Sequence, residues 1–135
     1  DAKRRVDFLG LRNHVVFAGA VPRDDVMGYF SLADIAVLPH SNEFGSPVVM
    51  FEFMGLRIPV VAPRLAPIED VHEDAVTAFL FEPLNMSQFV EKLSIAITSP
   101  DLRKTIANHA YDRLANRHTW EHNALQIIDA AFPKK

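Results

Sequence analysis

The residues best suited to do chemistry lie between His40 and Glu52. Gly45 and Ser46 precede Pro47, and this order predicts a helix start, because a serine hydroxyl caps the first free N–H groups and the fixed φ of proline suits the first helical position. At the carboxyl end of a parallel strand, such a helix start would suit a phosphate. Parallel α/β units commonly have a loop of this kind, so a phosphate site and a plain connection both remain open.

Glu52 is the only polar side chain in the ten residues that begin at Pro47. A carboxylate on a helix built for burial needs a partner. Helical spacing puts Glu52 on the same side as Val48, one turn further from the helix start. It could accept hydrogen bonds from the ribose hydroxyls of a nucleotide, or it could form a structural ion pair with Arg57 or Arg64. The residues alone leave both interpretations open.

Two further groups of polar residues are candidates for chemistry. His40 and Glu43 could form an acid/base pair, but they also fit an ordinary solvated loop after a strand. His118 and His122 are spaced as a helical pair, yet they lack the intervening glutamate of a zinc-protease helix and an evident third ligand. We therefore expect no metal site.

Composition restricts the class of protein. The chain has 135 residues, of which 49% are hydrophobic and 23% charged, as in one soluble globular domain. A net charge of −3 argues against nucleic-acid binding through a general basic field. The absence of cysteine excludes disulfides and thiolate chemistry. Because no apolar run approaches the roughly 20 residues that cross a bilayer, we expect no transmembrane segment.

Short apolar runs alternate with helical patterns along the chain. The predicted strands are Val15–Ala18, Asp34–Pro39, Pro59–Ala62 and Ala78–Phe81. The predicted helices cover about residues 1–10, 22–32, 47–56, 68–73, 85–98, 101–117 and 119–132, with Asn85 or Ser87 as the cap of the fifth. The aromatic residues at helical spacing are expected to pack in the core or between helices; these are Phe89, Tyr111, Trp120 and Phe132.

This alternation predicts an α/β fold, with a Rossmann-like parallel sheet of about four strands and helices on both faces. Ligands of such sheets bind at the carboxyl ends of the strands. The loops after residues 18, 39, 62 and 81 should therefore share one rim, and the loop that starts at His40 lies on it.

Four segments resemble, in this order, the C-terminal half of the retaining group 1 glycosyltransferases with the glycosyltransferase-B fold. They are VVFAGAVPRDDVMGYFSLADIAVLPHS, FGSPVVMFEFMGLRIPVVAP, EDVHEDAVTAFLFEPLNMSQFVEKL and HTWEHNALQIIDAAF. Several motifs in the right order are more specific than any one of them. The resemblance implies that residues 1–135 form a single donor-binding domain, one half of a glycosyltransferase-B architecture and apparently an N-terminally incomplete fragment.

The resemblance also implies roles for individual residues. In that family, backbone amides of the loop and helix equivalent to Phe44–Glu52 hold the donor diphosphate, and the helix glutamate holds the ribose. The donor-binding residues implied here are Glu52 for the ribose, Gly45, Ser46, Pro47 and Val48 for the diphosphate and sugar, Phe44 and Glu43 near the sugar, and Val21 near the base.

The chain departs from the family pattern at several positions. Phe44 stands where the E-x7-E signature has its first glutamate, and Glu43 is one place earlier. The sequence resembles a branch of the family that has a tyrosine or phenylalanine followed by GSP at this point, and members of that branch often carry a lysine where Val49 stands. Arg57 and Ala78 occupy positions that are commonly glycine.

The implied function is transfer of a sugar, with retention, from a nucleoside-diphosphate sugar to a glycan or lipid-linked acceptor in bacterial glycan biosynthesis. The resemblance implies no cofactor and no divalent metal, an acceptor bound by a missing N-terminal half, and a location in the cytoplasm or at the inner face of the membrane. The two strands expected before Val15, with the arginine and lysine that neutralise the leaving diphosphate, are not present, so we expect this chain alone to be inactive. The alternatives are a degenerate interaction module and a nucleotide-sugar epimerase that uses His40 and Glu43.

Overall fold

The computed structural model describes residues 1–41 and 48–132. The helices in these residues are α1 (Ala2–Phe8), α2 (Arg23–Phe30), α3 (Val49–Gly55), α4 (Ala66–Glu69), α5 (Met86–Thr98), α6 (Pro100–Arg117) and α7 (Trp120–Ala131). The strands are β1 (Ala36–Val37), β2 (Val60–Pro63) and β3 (Phe79–Phe81).

The three strands form one parallel sheet in the order β1-β2-β3. Ala36 lies opposite Val60, and Val61 lies opposite Phe79. Parallel neighbours require crossovers, and α3 makes the one between β1 and β2. Helix α3 therefore begins on the side of the sheet where the strands have their carboxyl ends, as the sequence predicts.

Helices cover both faces of the sheet, because alternate residues of β2 point in opposite directions. Val60 and Ala62 belong to a buried cluster with Met50 of α3, whereas Val61 belongs to a second cluster with Ala96 of α5 and Ile106 of α6. All four residues of β2 are buried, which is typical of a central parallel strand. The predicted α/β class and parallel sheet are confirmed.

A third cluster fixes the direction of α3. Met54 is fully buried and packs with Val71 and with Ala110 of α6. Phe51 and Leu114 extend this contact at its border. Helix α3 is therefore held by the sheet on one side and by α6 on another.

Side chains cap the starts of α5 and α7, and the cap of α5 is one of the two residues predicted for it. The Asn85 side chain accepts a hydrogen bond from the backbone N–H of Gln88 at 3.1 Å, which caps α5. The Thr119 side chain accepts from the backbone N–H of His122 and caps α7. Both caps satisfy N–H groups that lack a partner inside the helix.

The prediction of a strand at Val15–Ala18 is wrong for the described structure, in which this segment has no regular secondary structure. Val16 is 91% exposed. An apolar run forms a strand only where a neighbouring strand accepts its hydrogen bonds, and in the described part of the chain β1 pairs with β2 alone. Three of the four predicted strands therefore form.

The predicted packing of the aromatic residues is confirmed for Phe89 and Tyr111. Phe89 packs against Phe81 with ring centroids 5.2 Å apart, and Tyr111 packs against a guanidinium. Trp120 and Phe132 are 89% and 76% exposed, so their predicted burial is wrong in this structure. The cause is that α7 buries none of its residues against the described part of the chain.

Candidate functional site

The carboxyl ends of the three strands meet at one rim, as predicted for the loops after residues 39, 62 and 81. The segments that follow β1, β2 and β3 line a cavity of about 270 Å³ there. Its lining residues are Pro39, His40, Ser41, Pro63, Leu65, Pro83 and Leu84. The rim therefore has a recess of the kind in which parallel α/β domains bind small molecules.

Glu52 lies on α3, the helix that begins on the same side of the sheet. Its neighbours along the helix differ in burial: Met50 and Met54 are buried, whereas Val48 is 71% exposed. Glu52 itself is half-buried. Its carboxylate is therefore on the partly open side of α3 that it shares with Val48, as helical spacing predicts.

Neither arginine that could pair with Glu52 does so. The Arg57 guanidinium lies over the ring of Tyr111, 3.6 Å from its centroid. Arg64 forms ion pairs with three other carboxylates. No described cation forms an ion pair with Glu52, so the structural ion pair considered from the sequence does not form with either predicted partner.

Arg64 has more ion pairs than any other residue that the structure describes. Its guanidinium nitrogens lie 3.0 Å from Glu69, 3.0 Å from Asp74 and 3.1 Å from Glu82. The hydrogen bond to Glu69, with the charges of the other two acids, raises the pKa of Arg64. Arg64 thus ties the segments after β2 and β3 together and is not available to a ligand phosphate.

Asp74 is the centre of this network. It accepts hydrogen bonds from the Lys92 ammonium at 2.8 and 2.9 Å and from the Leu80 N–H at 2.8 Å. Partial burial alone would raise the pKa of Asp74, but these hydrogen bonds and the charges of Lys92 and Arg64 outweigh burial and lower it. The sequence carries no signal of this network beyond the number of acids between Arg64 and Glu82.

The other predicted site residues are placed as follows. His40 is exposed and lines the rim cavity. Val21 is half-buried in the segment before α2 and is not among the residues lining that cavity. The predictions for Glu43, Phe44, Gly45, Ser46 and Pro47 lie outside the described residues, so the predicted pairing of His40 with Glu43 stays a prediction.

One departure from the family pattern has a clear structural counterpart. Arg57, at a position where the resemblance implies glycine, has a φ of +54°, in the left-handed region that glycine adopts readily. Its N–H bonds the Met54 carbonyl at 3.1 Å and so ends α3. The backbone at this position therefore has a conformation that favours glycine, although the residue is arginine.

No three His, Asp or Glu side chains in residues 1–41 and 48–132 converge in a way that could hold a metal ion. In the same residues, none of the helices has the length and apolar character that crossing a membrane requires.

The parallel sheet, with helices on both faces and a recess at its carboxyl rim, is typical of a Rossmann-like domain. Glu52 lies on the adjoining helix and is not among the residues that line the recess. Residues 1–113 match the family of glycosyl transferases group 1. The chain therefore belongs to the group 1 glycosyltransferases, and the resemblance found in the sequence is confirmed.

The chain is similar to enzymes of this family from several bacteria. It is 26% identical over 111 residues to alpha-D-kanosaminyltransferase of Streptomyces kanamyceticus, covering 82% of this chain and 28% of that protein. It is 25% identical over 122 residues to the D-inositol 3-phosphate glycosyltransferase of Corynebacterium urealyticum, covering 90% of this chain and 28% of that protein. The chain thus spans less than a third of the length of these curated relatives.

The fold is that of one half of a glycosyltransferase-B architecture. Among solved structures, Anabaena Alr3699/HepE in complex with UDP is similar, with a TM-score of 0.85 and 23% identity. The similarity covers 96% of this chain and 35% of that one. This confirms the predicted Rossmann-like fold.

Proposed function

We propose that this chain is the donor-binding part of a glycosyltransferase that moves a sugar from a nucleoside-diphosphate sugar to a glycan or lipid-linked acceptor with retention. Membership of the group 1 family supports sugar transfer. The observation that supports donor binding most directly is Glu52, which lies half-buried on α3 while Arg57 and Arg64 are engaged elsewhere.

The proposed chemistry assigns different parts of the donor to different parts of α3. The diphosphate lies near the start of the helix, where free N–H groups and the helix dipole favour an anion and stabilise the charge that develops as the diphosphate leaves. The Glu52 carboxylate, one turn further, accepts hydrogen bonds from the ribose hydroxyls. We propose no bound metal and no cofactor in this arrangement.

The first test is calorimetric titration of the intact protein that carries this chain with UDP, GDP and ADP. UDP is a suitable first probe because the similar Anabaena protein has been solved with UDP and with UDP-glucose. We expect Glu52→Ala to weaken binding of the preferred nucleotide about tenfold to a hundredfold, the effect of losing hydrogen bonds to a charged group. Glu91→Ala, which removes an exposed glutamate on α5, is the matched control and should leave affinity unchanged.

A second ligand separates a ribose contact from a structural role. If Glu52 accepts from the ribose, then 2′,3′-dideoxy-UDP should bind the native protein weakly and should lose little more in Glu52→Ala. If the substitution lowers the free energy of unfolding but leaves nucleotide affinity unchanged, Glu52 has a structural role and the ribose assignment is wrong. A folded protein that binds none of the three nucleotides would instead support an interaction module.

A further inference from the structure

A second cavity lies at the opposite edge of the sheet from the rim, where the strands begin. We call it the amino-edge pocket. It has a volume of about 470 Å³ and is lined by Ala33, Asp34, Arg57, Pro59, Pro100, Asp101, Arg103, Lys104, Ala107 and Asn108. Three of these residues carry a positive charge, so the chemistry of this pocket differs from that of the largely apolar rim cavity.

Arg57 is an exposed residue of the pocket lining. Its backbone has the left-handed φ of +54°, which costs an arginine energy that a glycine would not incur. Its guanidinium is stacked on Tyr111 at 3.6 Å, so one face of the charged plane is covered. In the described residues the guanidinium has no carboxylate partner within 4.0 Å.

The other two cations come from the first turns of α6. One Arg103 nitrogen donates to the Ala96 and Ile97 carbonyls at 3.0 and 3.5 Å, and another is 4.0 Å from the Asp34 carboxylate, beyond hydrogen-bonding distance. Lys104 is exposed and has no ion pair with the described residues. Like charges repel, so the grouping of Arg57, Arg103 and Lys104 around one cavity makes the potential there more positive and favours an anion.

The acids in the pocket offset this charge only in part. Asp34 and Asp101 give the lining a balance of three positive and two negative charges. The Asp34 side chain is 88% exposed, so solvent screens its contact with Arg103. Asp101 lies in the first turn of α6, where the helix dipole already stabilises a carboxylate.

We propose that the amino-edge pocket binds the phosphomonoester group of a second ligand, separate from the sugar donor at the rim. A guanidinium presents paired N–H groups that match two phosphoryl oxygens, and a lysine ammonium supplies a compact charge beside them. Pro59, Pro100 and Ala107 form an apolar wall for the organic part of the molecule. A soluble phosphorylated compound and the headgroup of an anionic lipid share this chemistry.

The test uses the intact protein with saturating UDP present, so that the proposed donor site is occupied. Phenyl phosphate is titrated by calorimetry, with phenol as the uncharged control, and co-sedimentation is measured with vesicles of phosphatidic acid in phosphatidylcholine. Binding of phenyl phosphate identifies a soluble ligand, and binding to the phosphatidic acid vesicles alone identifies a lipid headgroup. Binding to neither probe overturns the proposal.

Substitutions of the lining residues test whether the phosphate binds in the amino-edge pocket. Arg57→Gly removes the cation and supplies the residue that the φ of +54° favours, so the fold should be kept. We expect it to weaken binding about tenfold or more, and Lys104→Gln to weaken it by a smaller factor. Lys3→Gln, the same change on α1, is the matched control, and Asp34→Asn should strengthen binding.

The readout is separate from that of the proposed donor site. Arg57→Gly should leave UDP affinity unchanged, and Glu52→Ala should leave phenyl phosphate affinity unchanged. If Arg57→Gly and Lys104→Gln bind phenyl phosphate and the vesicles as tightly as the Lys3→Gln control, the amino-edge pocket is not the site and the inference is wrong, whatever the outcome for UDP.

Discussion

His72 is the most deeply buried titratable residue in residues 1–41 and 48–132, and the proposed donor site does not use it. It is 2% exposed, and its Nδ1 lies 3.2 Å from the Thr77 carbonyl, to which it can donate. Its Nε2 is buried without a hydrogen-bond partner in the described residues. Burial lowers the pKa of His72 to about 4; the Thr77 hydrogen bond opposes this shift, and the charges of Arg113 and His118 add to it.

This pKa predicts how stability depends on pH. The unfolded chain binds a proton on His72 near pH 6.5, but the folded chain does so only near pH 4. Between these values the unfolded state holds more protons, so the free energy of unfolding falls as pH falls. We expect a loss of roughly 3 kcal/mol across this window, and no contribution from His72 to pH dependence above it. Urea unfolding at a series of pH values measures the effect.

His72→Asn is the variant that isolates this contribution, since its amide can still donate to the Thr77 carbonyl. We expect the variant to have a shallower dependence of stability on pH between 4 and 6.5. His14→Asn, at an exposed turn, should keep the native pH dependence. Equal slopes in the native protein and in His72→Asn would show that His72 titrates near its ordinary value in the folded state.

At the scale of secondary-structure elements, Asp74 joins β3, α5 and the segment that follows β2. It binds Leu80 in β3, Lys92 in α5 and Arg64 after β2. The Asp74 and Lys92 side chains are only 24% and 22% exposed, so this pair is better protected from solvent than an ordinary surface pair. Asp74 therefore joins the β2–β3 connection to β3 and α5, and Arg64 joins the same connection to Glu82 after β3.

Asp74→Ala should destabilise the protein by about 2–4 kcal/mol, because it leaves the Leu80 N–H and the partly buried Lys92 ammonium without their acceptor. Chemical denaturation measures the change in the free energy of unfolding. Asp7→Ala is the matched control: it removes an aspartate that is also bound by an arginine, Arg12, at 2.8 Å but in an exposed position. The control should change stability little, because solvent screens exposed pairs. Similar losses in the two variants would contradict a special role for Asp74.

At the scale of the whole molecule, the described structure provides one sheet rim and the helix that begins beside it. Sugar transfer requires a donor and an acceptor held in contact, and the relatives that this chain matches are more than three times as long as the matched segment. We propose that residues 1–135 bind the donor nucleotide but do not catalyse transfer by themselves.

This prediction is tested by incubating the isolated 135-residue chain with UDP-glucose and a glycan or lipid-linked acceptor. We expect nucleotide binding by calorimetry, provided that the chain is folded by circular dichroism, and no glycosylated product by mass spectrometry. The intact protein that carries this chain is the positive control. Turnover by the isolated chain would show that the elements needed for transfer all lie within it.

Much of the fold could be predicted from the sequence because its signals are local. The Asn85 cap depends on a residue three positions away in the chain. Strand β2 is predicted by a continuous apolar run, and it is buried. The strand predicted at Val15–Ala18 failed because strand formation depends on a hydrogen-bonding neighbour, which a sequence pattern does not supply. The predicted packing of Trp120 is wrong for a similar reason, because a side chain is buried only where another surface packs against it.

The sequence by itself determined the α/β class, the family, and the presence of a lone acid on the helix that begins at the sheet rim. Only the tertiary structure decided which charges meet. Arg64 binds Asp74, ten residues away, and Arg57 stacks on Tyr111, so neither pairs with Glu52. Charge pairing depends on distance in space and on burial, and both are set when the helices pack on the sheet.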